Sequence, residues 1–255
     1  MLALFGIVKY SFEYQFGSIR RRSREEGRME PAESRHEAKE EMFDGVASVA
    51  KALGSGRRGE VVDVLAQGER SVESLSIEIS QSVANTSHHL QILARAGLVR
   101  RRREGTHIYY QLSSERVADL WAALRDVASV HVSGFHDLVD AYLGDRESLE
   151  PVTRSELAGR LEDEDLVLLD VRPASEYAAG HIPSARSVPI EDIHELLQTL
   201  PDDADIVAYC RGPHCVYALD AVRVLTAKGR MARRMEGGLP EWRRDGLPVT
   251  SEEVG

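Results

Sequence analysis

Cys210 and Cys215 are the only cysteines among 255 residues, and they bound the short run Cys-Arg-Gly-Pro-His-Cys. Two thiols this close cannot staple a fold, so they read as reactive groups of a reducing cytoplasm rather than a disulfide framework. A strand-like run, Asp205-Ile-Val-Ala-Tyr, leads into Cys210, and a helical stretch over 216–228 follows. A group at the C-terminal end of such a strand, beside a helix N-terminus, meets backbone N–H groups that favour an anion. The spacing predicts a Cys210 thiol of lowered pKa, assisted by Arg211, hence a thiolate able to accept sulfane sulfur and hold a persulfide. Gly212, Pro213, His214 and Val216 complete the loop. Cys215 adds a second thiol that can attack a Cys210 persulfide and close a disulfide or polysulfide bridge. Phosphate chemistry of the Cys-x5-Arg kind is disfavoured, because Val216 stands where the arginine would be.

A second group of residues suits a nucleic acid. Ser82 can cap a helix from Val83 to Ala96 that Gly97 terminates, with Leu90 and Leu93 inward and Asn85, Ser87, His88 and Gln91 polar. Two strand-like runs follow, joined at Glu104-Gly105, and the first carries Arg100, Arg101, Arg102 and Arg103. Helix, turn, helix and an arginine-rich hairpin form the layout in which one helix enters a major groove and the hairpin lies along phosphates.

The elements that must hold these two groups are legible in outline. Helical spacing covers 33–53, 57–66 and 71–79, and a broad apolar stripe runs along a single long helix from Glu115 to Leu143. That stripe exceeds what one small domain needs, which implies a partner surface. Further on, Leu166–Val171 and Asp205–Cys210 read as buried strands, with helical stretches around 153–161, 190–199 and 216–228. Alternating β and α signals imply a parallel sheet covered on both faces. The fold class is therefore multidomain: a mainly-α winged helix-turn-helix domain with a β-hairpin wing, then an α/β domain with a parallel central sheet. Expected boundaries are an extension at 1–32, a DNA-binding and dimerisation domain at 33–143, a polar linker at 144–150, the α/β domain at 151–250 and a tail at 251–255.

Charge supports this division. The chain carries −10 in total, yet 57–110 holds eight arginines against six acidic residues, +2, while 151–255 holds twelve basic against nineteen acidic residues, −7. A DNA backbone meets the local field rather than the total. No run of about 18 apolar residues exists, so no membrane span is expected. The first 16 residues lack a basic start before their apolar run and make a poor secretory signal. Met29, before Glu30 and Pro31, reads as a plausible start, leaving 1–28 as disorder or a mis-assigned extension.

Both halves resemble known families. VANTSHHLQILARAGLVRRRREGTHIYYQL is similar to the recognition helix and wing of ArsR-family repressors, with the likeness covering about 33–143. The resemblance implies a dimer formed by the first helix and the long last helix, bound to double-stranded operator DNA. DVRPASEYAAGHIPSA at 170–185, YCRGPHCV at 209–216 and GGLPEWRRDGLPV at 237–249 resemble three signatures of single-domain rhodaneses over about 151–250. By position Cys210 matches the persulfide-forming cysteine, and Asp170, Arg172, Glu176 and His181 match scaffold residues beneath the loop. Rhodanese loops commonly run Cys-Arg-Ser-Gly-x-Arg; here Gly212 and Pro213 replace Ser-Gly, and Cys215 replaces the second arginine, removing one donor for a thiosulfate dianion.

The implied function is a repressor that senses sulfane sulfur, from thiosulfate or a persulfide, or redox state. Two alternatives stay open: a DNA-tethered sulfurtransferase of low turnover, and a regulator with an inert rhodanese module. No cofactor is expected. No metal site is expected either, since the region near the recognition helix has no cysteine, and His131 and His136 lie about 140° apart around a helix.

Overall fold

The computed structural model describes residues 31–144, 151–201 and 203–251. The expected extension with its start at Met29, all but Gly144 of the expected linker, and the tail beyond Ser251 lie outside the described residues. The chain divides into a unit Met1–Asp44 and a unit Gly45–Gly255. In the first, the N-terminal part of helix α1 (Pro31–Leu53) leaves Met42 and Phe43 exposed. Among the described residues, the three hydrophobic cores belong to the second.

The first core is helical. The chain runs through α2 (Gly56–Leu65), β1 (Arg70–Ser71), α3 (Val72–Glu78), α4 (Val83–Arg95), β2 (Val99–Glu104), β3 (His107–Leu112), α5 (Glu115–His131) and α6 (Phe135–Leu143). Ser71 caps α3 by accepting from Ser74 N–H at 3.1 Å, and Ser82 caps α4 by accepting from Asn85 N–H at 3.2 Å. Leu98 N–H returns to Leu93 C=O at 3.0 Å around Gly97, whose φ is +73°. This closes α4 with the C-terminal motif that glycine permits. Leu75, Ile79, Leu90 and Leu93 meet Val61, Val62 and Leu65 in the interior. Strands β1, β3 and β2 form an antiparallel sheet in that order, with β2 and β3 joined through Gly105-Thr106.

The expected single helix from Glu115 to Leu143 is broken. Helix α5 ends at His131, Val132 takes extended backbone and Gly134 adopts φ +74°. An extended residue followed by a left-handed glycine cannot continue an α-helical hydrogen-bond ladder. Helix α6 sets off anew, buries Leu143 and brings Phe135 edge-on to His214, with ring centroids 5.8 Å apart.

The second half contains α7 (Arg154–Ala158), β4 (Leu166–Asp170), α8 (Ala174–Ala179), β5 (Arg186–Ser187), a 3-10 turn (Ile190–Asp192), α9 (Ile193–Leu196), β6 (Asp205–Tyr209), α10 (Val216–Ala227), β7 (Ala232–Arg234) and α11 (Leu239–Arg244). The helix expected over 190–199 is thus a 3-10 turn and a single turn of α-helix. All pairings of the β5-β4-β6-β7 sheet are parallel. Alternate residues sort to opposite faces, as a strand's two-residue period demands. Leu169, Ile206 and Ala208 pack with Ala221, Val222 and Leu225 of α10. Leu168, Val207 and Tyr209 pack with Leu157, Ile182 and Trp242.

Candidate functional site

The cysteine loop occupies the C-terminal end of β6, where a parallel sheet presents its chemistry. Its base is tight: a Cβ on Gly238 would stand 2.3 Å from Gly212 N and 2.5 Å from Cys210 O, so only glycine fits against the loop backbone there. Leu239 N–H donates to Cys210 C=O at 3.1 Å, and Cys215 N–H donates to Gly212 C=O at 3.2 Å. Cys210 is 1% exposed, whereas Cys215 at the start of α10 is half-buried. The Cys210 sulfur lies 3.7 Å from Cys215 C=O and 3.9 Å from Gly212 C=O, positions that suit a donating S–H.

This geometry reverses the expectation for Cys210. Burial, and then the hydrogen bond to Cys215, push its thiol well above the ordinary value; backbone hydrogen bonds at Gly212 and Ala218 oppose this only in part. Cys215 moves the other way. Its hydrogen bond with Cys210 lowers its pKa against the cost of burial, and backbone hydrogen bonds at Arg211 and Tyr217 add to the lowering. In this closed loop Cys215 is therefore the more acidic of the two thiols, and burial holds Cys210 toward its protonated form.

Arg211 does not serve Cys210 either. Its Nε bonds Glu176 Oε1 and Oε2 at 3.0 and 3.1 Å, its Nη2 bonds Glu176 Oε1 at 2.6 Å, and its Nη1 pairs with Glu78 at the end of α3. Burial works against its charge, but these two carboxylates outweigh it and raise its pKa. Glu176 is fully buried and also takes Arg70 Nη2 at 2.6 Å. Beside it Arg172 Nε and Nη2 grip Asp170 at 2.9 and 2.5 Å, and both side chains are fully buried. Arg172 Nη2 also donates to Gly180 C=O at 2.8 Å. His181 stacks on Tyr177 with centroids 3.7 Å apart, its Nδ1 2.9 Å from Tyr177 C=O.

Several of these partners come from the helical half and were not anticipated. Gln67, 2% exposed, donates from Nε2 to Arg211 C=O at 3.2 Å and accepts from Arg172 Nη1 at 3.3 Å. Arg125 on α5 reaches Asp63 and Glu241, both at 3.1 Å. Glu241 accepts from Gly238 N–H at 3.0 Å, and its carboxyl is held above its usual range by burial, against the pull of Arg125. A cavity of about 520 Å³ opens between α2, α3, α5 and the loop; Cys215 lines it and Cys210 does not. Of the remaining loop residues, Pro213 is exposed, His214 and Val216 line the same cavity, and Gly212 is buried.

On α4, Asn85, His88 and Gln91 are exposed at i, i+3, i+6 spacing, while Ser87 is half-buried. The four wing arginines are all exposed but not equivalent. Arg102 crosses the sheet edge to Glu69 at 2.6 Å, holds Glu104 at 2.6 Å and lies over the Tyr109 ring at 4.9 Å. Arg100 Nη2 bonds Gln111 Oε1 at 3.3 Å, Arg103 Nε bonds Gly105 C=O at 3.1 Å, and Arg101 has no side-chain partner among the described residues. Opposite it across the ladder stands Tyr110. Among the described residues no helix is long and apolar enough to cross a membrane, and no group of three His, Cys, Asp or Glu is placed to hold a metal.

Two family models match the chain. "Bacterial regulatory protein, arsR family" matches residues 55–101, and "Rhodanese-like domain" matches 153–245. The chain is 45% identical over 208 residues to an HTH-type transcriptional regulator of Mycobacterium tuberculosis, an alignment covering 82% of this chain and 91% of that protein. It is 37% identical over 98 residues to a sulfurtransferase of Allochromatium vinosum, covering 38% of this chain and 91% of that one. A homodimeric winged helix-turn-helix DNA-binding domain from Mycobacterium bovis, solved by NMR, is 44% identical, covers 38% of this chain and 91% of its own, and has a TM-score of 0.35.

Proposed function

Because the chain belongs to the ArsR-family transcriptional regulators that carry a C-terminal rhodanese-like domain, we propose that it is a repressor whose hold on operator DNA is set by sulfur or oxidant chemistry at the Cys210–Cys215 loop. The observation that carries this is the contact between Arg211 and Glu78. Arg211 follows Cys210 directly, and Glu78 ends α3, the helix that precedes the DNA-reading α4. Gln67 adds a second tie to the backbone of the same loop. Persulfidating Cys210 or bridging it to Cys215 displaces Arg211, and α3 then loses the partner that holds its end. This partly buried pair has two arrangements, made or broken, which is the bistable element that coupling between distant sites requires.

In this reading α4 enters the major groove with Asn85, Ser87, His88 and Gln91, and the wing lays Arg100, Arg101 and Arg103 along the backbone. Two copies bind half-sites about one helical turn apart, associating through apolar residues such as Val46, Leu120, Leu124 and Val127 that stand exposed in one copy. Asp170, Arg172, Glu176 and His181 hold the loop from beneath. A DNA-tethered sulfurtransferase is the second reading, favoured by the sulfurtransferase relative; the buried Cys210 argues for low turnover.

The test is operator affinity of the reduced protein before and after a polysulfide donor, with intact mass recorded in parallel. Affinity should fall as sulfur mass appears on the 210–215 peptide, and Cys210→Ser should abolish the fall. Glu78→Gln should still gain the mass but lose most of the affinity change. A Cys210→Ser protein that responds like the parent overturns the proposal, and thiosulfate:cyanide turnover with unchanged DNA affinity favours the enzyme.

A further inference from the structure

Resting on that reading, we infer that the cavity between α2, α3, α5 and the cysteine loop is the donor site, and that Cys215 rather than Cys210 receives the sulfane sulfur first. The argument begins with access. Cys210 is 1% exposed, closed in by the carbonyls of Gly212 and Cys215 and backed by Gly238. Cys215 is half-buried and lines the cavity of about 520 Å³, room for a small molecule. A donor reaching this loop from solvent through the cavity meets Cys215 and is screened from Cys210.

The lining says what kind of donor fits. Three arginines, Arg57, Arg125 and Arg211, face three acids, Glu60, Asp63 and Glu78, and each arginine is ion-paired with one of the acids. Such a wall is charge-balanced. A dianion such as thiosulfate would bring two charges past three carboxylates with no uncommitted cation to meet it, and an uncompensated charge in a partly buried site is costly. A small persulfide carrying an ammonium and a carboxylate beside its S–S bond exchanges into such pairs, and in its protonated R–S–SH form, the one attacked below, it adds no net charge.

Two balanced steps follow. The Cys215 thiolate attacks the outer sulfur of R–S–SH, so a new S–S bond forms at Cys215 Sγ, the donor's S–S bond breaks and R–S⁻ leaves. Cys210, already hydrogen-bonded to Cys215, then attacks Cys215 Sγ; its proton leaves with the terminal sulfur, giving the Cys210–Cys215 disulfide and hydrogen sulfide. The two thiols lose two electrons in total and the sulfane sulfur gains them. Cys210 acts here as the resolving thiol, a role that suits a group kept protonated until its partner is loaded. The resulting bridge spans Arg211, the residue tied to Glu78.

The experiment treats the full-length reduced protein with sub-stoichiometric cysteine persulfide, quenches at intervals and maps added sulfur by peptide mass. In the parent, the first sulfur should appear on Cys215, followed by loss of two hydrogens and release of sulfide. Cys210→Ala should stop at a Cys215 persulfide. Cys215→Ala should load Cys210 about tenfold or more slowly, as expected for a buried, protonated thiol. Since Cys215→Ala can perturb the loop, the order of labelling in the parent is decisive: sulfur arriving first on Cys210 overturns the proposal. Thiosulfate that loads Cys215 as fast as cysteine persulfide overturns the choice of a zwitterionic donor. Operator affinity measured on the same samples keeps the two readings separate, because Cys215-first loading without any affinity change sinks the repressor switch and leaves the order of sulfur uptake standing.

Discussion

On α4 and the wing, Asn85, His88, Gln91 and Arg101 face solvent, and Arg101 has no side-chain partner among the described residues. Around the cysteine loop, Asp170, Arg172 and Glu176 are fully buried and each charge is spoken for. In the first region His88, Gln91 and Arg101 make no hydrogen bond or ion pair among the described residues, so a partner adds contacts at these positions without breaking any. The second is already satisfied, and chemistry there acts by subtraction. The proposed switch uses this contrast: the network around the loop reaches α3 through Glu78 and β1 through Arg70, and Gln67 ties the loop backbone to the segment between α2 and β1. Changes in the two regions should therefore differ in kind, those at the loop registering as stability and coupling and those at the face as affinity and sequence preference.

The largest effect is expected at Glu176. Glu176→Gln keeps the shape but leaves Arg70 and Arg211 without their shared carboxylate. Removing one partner of a buried ion pair costs about 3–5 kcal/mol, which urea unfolding would register as a lower midpoint. A loss below roughly 1 kcal/mol would mean that the network behaves like a surface salt bridge and that the contrast with the reading face is false. Gly238→Ala should come next. Its Cβ would overlap Gly212 N, Arg211 C and Cys210 O, so the loop must shift, at a cost of about 1–3 kcal/mol. Unlike Glu176→Gln, it should open Cys210 to alkylation; unchanged labelling of Cys210 would show that the loop absorbs the clash without opening.

The difference between the regions also decides what the sequence revealed. Helix caps, the Gly97 stop, the arginine hairpin and the apolar runs of the buried strands are local patterns, and Ser82, Leu90, Leu93 and Cys210 could be placed from them. The chemistry of the loop could not. Whether Cys210 titrates low or high depends first on how completely the packed domain buries its sulfur, and then on a loop whose Arg211 is turned away toward Glu78, 133 residues distant in sequence. Neither has a local signature. Gln67 and Arg125 look like ordinary polar positions until the two halves pack. The break after His131 was within reach, since Ser133-Gly134 stood in the pattern, but the apolar stripe on both sides outweighed a single glycine.

At the reading face, effects should be smaller and should leave stability alone. His88→Ala or Gln91→Ala should each relax preference at one base pair by about 1–3 kcal/mol, read from binding to single-substitution operator variants. An unaltered ranking of those variants in both proteins would remove α4's exposed face from base readout. The wing offers the finest test. Arg101→Ala should weaken binding to any sequence and reduce the salt slope by about one, the signature of one phosphate contact. Arg102→Ala should change the slope by much less, because Arg102 already neutralises Glu69 and Glu104 and must break both pairs to reach a phosphate. Its loss also uncovers two carboxylates beside the DNA, so any weakening should show as repulsion that salt relieves. If the two substitutions flatten the slope equally, the pairing of Arg102 does not survive contact with the duplex, and commitment of charge ceases to distinguish the two regions.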